Sequence, residues 1–359
     1  MVGGGVVGAA AAYFLTRAGC SVTLFERGAI CGEASGANAG MIGPSGSEPG
    51  VTDHLVRKEP EWFDRLSQDL DHTFEWTQAG RLMLVLEEDD RPAMVAKVAA
   101  GAAVGIDCSM VDQDEVLRMV PAFAPDAVVG AGWYPEDGHV NPFLLTHAFL
   151  VTAMRLGATV RAGVNVQALR AEGSRVTGLL TSEGEFSCGE VVLAAGAWTA
   201  QLCRPLGVGV PVWPGRGQML LTERLPPLTP IVLRGPVVGF RQTVSGNLLI
   251  GSTVEDVGFR KDVTTLLGVF ARETVRRLPP LAGARIVRSW AGLRPMSDDG
   301  RPLIGPVPQW RGLWLCTGHG RTGVGWSAVS GEILARRLVD GTYDDPQAEA
   351  LAPAGRLAS

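Results

Sequence analysis

Residues 3–8 read Gly3-Gly4-Gly5-Val6-Val7-Gly8 and contain the spacing G-x-G-x-x-G. A turn of this kind presents bare backbone amides to an anion. Gly3 allows the sharp turn, Gly5 lets the backbone approach a pyrophosphate, and Gly8 lets a helix pack closely on its strand. The pattern alone is weak, and its surroundings make it specific. Residues 6–18 are rich in alanine and end at Gly19, as a helix does. The alternating, β-prone run 20–26 follows and ends in Glu26. The helix N-terminus would meet phosphates with unpaired N–H groups. The Glu26 carboxylate would accept ribose hydroxyls and repel a 2′-phosphate, which favours an adenine dinucleotide without that group.

A β-α-β unit needs a strand before its glycine turn, typically ~5 residues long. Only Met1 and Val2 precede Gly3. The central strand is therefore expected to be almost absent, at a cost in core contacts and cofactor retention.

Two further small-residue turns could approach a flat ligand. One is the stretch 32–42, whose only charged residue is Glu33. The other follows the strand 190–194, where Ala195-Gly196 lead into a helix begun by Ala197-Trp198-Thr199. Helices are expected at 52–70, 89–104, about 261–277 and from the 317–325 turn to Val339. Asn141 and Pro142 suit the N-cap and first position of a helix reaching about Leu156. Strands are expected at 81–86, 127–134, 158–160, 164–170, 175–181, 190–194 and 313–316. Those at 217–221, 237–242 and 247–251, with a Ser245-Gly246 turn, point to an antiparallel sheet distinct from the parallel one. Residues 292–295 and 299–305 read as small-residue turns.

Composition narrows the function. The chain has 359 residues, 46% hydrophobic and 19% charged, which suits two packed domains. A net charge of −5 without a basic run argues against nucleic acid. The six cysteines form no C-x-x-C pair and the five histidines lie far apart, so neither zinc nor a disulfide framework is suggested, and a reducing cytoplasm fits. No apolar run reaches the ~20 residues of a membrane helix, and no signal peptide is expected.

Taken together, Gly3 to Gly8 with Glu26, the segment Asn38-Ala39-Gly40-Met41, the strand ending Ala195-Gly196-Ala197-Trp198, the segment Gly292-Leu293-Arg294-Pro295 and Thr317-Gly318-His319-Gly320 resemble the D-amino-acid oxidase family of FAD-dependent oxidoreductases. The resemblance covers nearly the whole chain, and the motifs fall in the family's order. It implies an α/β fold in which a Rossmann-like FAD-binding domain (1–78, 140–208 and 288–359) interleaves with an α+β substrate domain built on an antiparallel sheet (79–139 and 209–287). It implies FAD contacts at Val6, Val7, Glu26, Arg27, Ala34, Ser35, Asn38, Ala39, Gly40 and Met41, at Val166 beside the adenine, and at Ala195, Gly196, Trp198 and Gly292. The run His319-Gly320-Arg321-Thr322-Gly323-Val324-Gly325 would lie along the isoalloxazine ring. Arg294 matches the arginine that clamps the substrate carboxylate, with structural pairing to Asp298 or Asp299 as the alternative. Arg241, Arg321 and His319 are weaker candidates for the substrate site. No cysteine matches the flavin-linking one of monomeric sarcosine oxidase, so FAD is expected to be noncovalent.

One stretch departs from glycine oxidase, which has a tyrosine where this chain has Gly239. The run Gly239-Phe240-Arg241-Gln242-Thr243 with Ser245-Gly246-Asn247 is more similar to hydrogen cyanide synthase and to flavin subunits of opine and hydroxyproline dehydrogenases. The implied reaction is hydride transfer from a small amino acid, either a D-amino acid or a cyclic secondary one, to flavin N5. The imine would then hydrolyse to a 2-oxo acid, and no catalytic acid or base is required of the protein. Oxygen, a quinone or a partner subunit could take the electrons, and oligomerisation or peripheral attachment to an inner membrane stays open. Two alternatives stand beside this: a flavin subunit of a heteromeric dehydrogenase, and a non-catalytic remnant of the fold lacking its first strand.

Overall fold

The computed structural model describes residues 1–46 and 53–358. The glycine turn opens the helix Val6–Arg17, which is buried along nearly its whole length. A helix apolar on all sides belongs inside a core. It packs between the helices Pro142–Arg155 and Ser327–Val339. Gly331 permits the second contact, since a Cβ there would come within 3.0 Å of the Ala10 backbone.

The expected gap at the head of the parallel sheet is filled by Met1 and Val2. Val2 bridges in parallel to both Phe25 and Leu193. Its N–H donates to Val192 O at 2.9 Å, and its carbonyl accepts from Ala194 N at 2.8 Å. One residue thereby joins the pair Thr159–Ala162 and Thr23–Glu26 to the strands Val191–Leu193, Leu313–Thr317 and Leu303–Pro306. Only the last strand runs antiparallel. A three-stranded antiparallel sheet follows the order Gly184–Ser187, Arg175–Thr181, Val166–Glu172.

The second layer is a nine-stranded sheet. Its path runs Glu255–Asp256, Val212–Arg224, Asn247–Gly251, Gly239–Gln242, Val232–Arg234, Arg81–Val85, Gly130–Tyr134, Ser109–Asp112, with Ile286–Ser297 also paired to Val212–Arg224. It is antiparallel except where Val232–Arg234 runs parallel to Arg81–Val85. Strand alternation sorts its residues onto two faces. Leu82, Leu84, Leu233, Phe240, Leu248 and Ile250 join the helices carrying Val116 and Phe270 in one core. The alternating positions Met83, Arg234, Gly239 and Gly251 face a cavity.

Several expectations change. Residues 292–295 form no turn: they lie inside the strand Ile286–Ser297, which also straddles the expected domain division at 287/288. Part of 299–305 is likewise strand, at Leu303–Pro306. The helix expected from 261 begins at Leu266, because residues before it serve as loop partners of Arg216 and Gln218. The expected 52–70 helix is two, Asp53–Arg57 and Glu59–Asp69, and residue 52 lies outside the described residues.

Candidate active site

A cavity of about 540 Å³ runs from the glycine turn to the Thr317–Arg321 loop. Gly5 caps the buried helix with extended backbone and no side-chain cap. The Val6 amide donates to Ser35 Oγ at 2.9 Å, which ties the second small-residue turn to the helix end. Glu26 leaves its strand with Oε2 accepting from Gly4 N and Oε1 from Gly28 N, each at 2.8 Å. This fixes the carboxylate at the cavity rim. Val164 and Val166 line the far wall, and Trp198 lies under the Arg27 guanidinium at 4.1 Å from its ring centroid. Asn38 staples the next turn: its amide donates to Ala34 O and Ser35 O, and its Oδ1 accepts from Gly40 N.

Gly3, Gly5, Val6, Val7, Glu26, Arg27, Ala34, Ser35, Asn38, Val166, Ala195, Gly196, Trp198, His319, Gly320, Arg321, Gly323 and Val324 all line this cavity. Gly8 does not. It packs on Gly3, whose carbonyl a Cβ at Gly8 would strike, as helix-to-strand packing demands. Gly292 is also absent from the wall, since a Cβ there would meet Ala37.

A second cavity of about 350 Å³ adjoins the first, sharing Asn38, Arg294, Arg321 and Val324. Ala39, Gly40, Met41, Thr322 and Gly325 line it together with the sheet residues Met83, Met219, Gly239 and Gly251. Arg294 sits in both walls. Its guanidinium crosses the neighbouring strand above Gly217, where any Cβ would collide with it. Its Nη1 donates to Thr253 O and its Nη2 to Ser252 Oγ, each at 2.7 Å. These neutral partners aim the group without neutralising it. Burial, helped by Arg321, pulls its pKa down to about 10, so it stays cationic at neutral pH. Among the described residues Arg294 forms no ion pair with Asp298 or Asp299, and Asp299 pairs instead with Arg301 and Arg356.

Arg241 lies away from the other candidates. It is buried with Nη1 2.9 Å from His139 Nδ1, and it lines neither cavity. Burial and the Arg241 charge hold His139 down near about 3, so the imidazole is neutral and its Nδ1 can accept. His319 is buried with Nε2 2.9 Å from Ser330 Oγ, and burial lowers its pKa to about 3. It therefore offers the first cavity a neutral ring and no proton-transfer group near neutral pH.

Sequence reasoning missed two residues of the second cavity. Arg234 lies on a three-residue strand between Pro230 and Gly235-Pro236, too short for any periodicity to show. Glu59 opens the helix Glu59–Asp69 and accepts from Gly43 N at 2.9 Å. Burial, reinforced by Asp137, raises its pKa to about 8. Its one sequence signal was an acid at a helix start, which ordinarily marks an exposed first turn.

The donor set suits FAD. Amides and the positive end of a buried helix meet a diphosphate, a fixed carboxylate meets ribose hydroxyls, and an apolar wall meets a flat base. Gly5 also marks a close approach, since a Cβ there would already lie 2.9 Å from Ser35 Oγ. Among the described residues, no His/Cys/Asp/Glu cluster could hold a metal ion, and no helix is long and apolar enough to cross a membrane.

This combination of a dinucleotide cradle and an adjoining cationic cavity fits a flavin-dependent oxidoreductase. The FAD dependent oxidoreductase family pattern matches residues 1–337, and the chain belongs to that family. It is 34% identical to glycine oxidase of Pseudomonas aeruginosa, covering 99% of this chain and 98% of that protein. It is 32% identical to hydrogen cyanide synthase subunit HcnC of Pseudomonas protegens, covering 93% of this chain and 90% of that one. The crystal structure of glycine oxidase from Geobacillus kaustophilus superposes with a TM-score of 0.91 at 27% identity, over 98% of this chain and 96% of that chain. The chain is therefore an FAD-dependent oxidoreductase, and FAD is its cofactor.

Proposed function

We propose that the protein oxidises the amine of a small amino acid, a D-amino acid or a cyclic secondary one, to an imine that water hydrolyses to the 2-oxo acid. Noncovalent FAD, when bound, supplies the two-electron acceptor for this oxidation. The single observation that carries the reading is Arg294, a cation in the wall shared by both cavities and held in place by uncharged partners. Such an arginine can grip a carboxylate with two parallel hydrogen bonds and fix the orientation of the neighbouring Cα. Met41, Met83, Met94 and Met219 give the second cavity a flexible apolar lining that limits water around the reacting carbon. His319, held neutral, adds no competing charge.

The relative named as a hydrogen cyanide synthase subunit favours a second reading, in which a partner subunit takes the electrons. Both readings meet one experiment. The FAD-loaded protein is mixed anaerobically with D-alanine, D-proline, D-hydroxyproline, L-proline, glycine, sarcosine and an opine. At least one should bleach the flavin, and absence of bleaching by all would reject amine oxidation. Re-oxidation by air with peroxide release supports an oxidase. Reduction of an artificial dye without peroxide supports the subunit reading.

A further inference from the structure

The second cavity holds two guanidiniums where one amino-acid carboxylate needs one. Arg234 and Arg294 both line it, and burial first, then the Arg321 charge, lowers the pKa of each. Among the described residues, no carboxylate facing the cavity pairs with either of them. Arg81 is committed to Asp137, at 3.1 Å, and to Ser45 Oγ, at 2.8 Å. Glu59, with its pKa near about 8, is mainly protonated at neutral pH. Among the described residues, Arg234 has neither an ion-pair partner nor a side-chain hydrogen bond. Its guanidinium fits there because residue 239 is a glycine: a Cβ on Gly239 would lie 3.2 Å from Arg234 Nη1. Leaving a half-buried guanidinium without an anion is costly, so the site is built for one that arrives with the substrate.

We infer that Arg234 forms a second anion subsite and that the substrate is a dicarboxylic amine, with one carboxylate on Arg294 and the other on Arg234. Two sources share this chemistry: acidic amino acids, and secondary amines bearing a carboxyalkyl group on nitrogen. The inference rests on the amine-oxidation reading for the reaction, while the subsite itself can be tested without turnover.

The test uses FAD-loaded wild type, Arg234→Met and Arg234→Lys, each checked for flavin content and circular dichroism. Calorimetry compares glutarate with butyrate as unreactive probes. The wild type should bind glutarate roughly 10- to 100-fold more tightly than butyrate. Arg234→Met should abolish that preference, and Arg234→Lys should restore part of it. Equal affinities in the wild type, or a preference surviving in Arg234→Met, would overturn the subsite. Kinetics with D- and L-aspartate, D- and L-glutamate and iminodiacetate against alanine and sarcosine then separate the two sources. A diacid should have the highest kcat/KM, lost through KM in Arg234→Met while the monoacids change less than about threefold. A monoacid preferred by the wild type would overturn the substrate assignment. If nothing bleaches the flavin but the glutarate preference holds, amine oxidation fails and the anion subsite stands.

Discussion

The two cavities are made from different materials. The first is walled largely by backbone and small residues: Gly3, Gly5, Ala34, Ala195, Gly196 and Gly320, with Glu26 as its one strand-end anchor. The second is walled by long side chains from the sheet and from the helix Arg91–Ala103 and other segments packed on it: Arg234, Arg294, Arg321, Lys97 and four methionines. A backbone site is built from short local runs, because each turn that contributes to it is only a few consecutive residues long. A side-chain site is assembled by topology, and its parts come from strands far apart in sequence. The first arrangement suits a cofactor that stays bound. The second suits a substrate that varies between relatives on one scaffold.

If that contrast holds, substitutions in each cavity should fail in different ways. Arg294→Met removes the carboxylate grip, and kcat/KM for amino-acid substrates should fall on the order of 10³-fold while bound FAD is retained. Unchanged kinetics, or loss of flavin, would merge the two cavities into one. Glu26→Gln keeps the shape of the rim but removes its charge, so FAD should bind roughly 10-fold more weakly, with little change in KM for substrate. A large effect on KM would break the division from the other side.

Arg241→Met probes a residue buried beside His139 and away from both walls. Thermal unfolding should fall by several degrees, while KM stays within about twofold. A specific rise in KM would return Arg241 to the substrate site. Glu59 gives the smallest effect and a signed pH dependence. Its folded pKa of about 8 stands above the ordinary 4.5. The unfolded chain therefore loses this proton first, and the associated stability, complete below pH 4.5, is lost as pH rises toward about 8. Glu59→Gln should be nearly neutral in acid and gain a few degrees in Tm at the upper end of that window. A pH-independent difference in Tm would show that burial does not suppress the Glu59 charge.

The same contrast explains what could be read in advance. The glycine turn, Glu26, the 32–42 loop and the Ala195-Gly196 turn were legible because each is a short run whose residue types have one good backbone use. Asn141 and Pro142 likewise marked a real helix start. Arg294 was found through motif resemblance, yet its neighbours were misjudged as a turn. Gly292 and Pro295 looked like breakers, and only the length of the Ile286–Ser297 pairing with Val212–Arg224 holds them extended. The strand before Gly3 was expected to be almost absent, and Val2 alone supplies the bridges on both sides. Arg234 and Glu59 could not be found this way. Their roles depend on which face of a sheet or which buried helix end they occupy, and three residues of strand or a single acid carry no such information.

The central claim is that backbone amides at the helix end, with Glu26, hold the adenine dinucleotide half of FAD. The most direct measurement is the dissociation constant of flavin-free protein for FAD against FMN and riboflavin, followed by flavin fluorescence. FAD should bind at one equivalent and at least about 100-fold more tightly than either shorter flavin. FMN or riboflavin binding as tightly as FAD, or no flavin binding at all, would contradict the account.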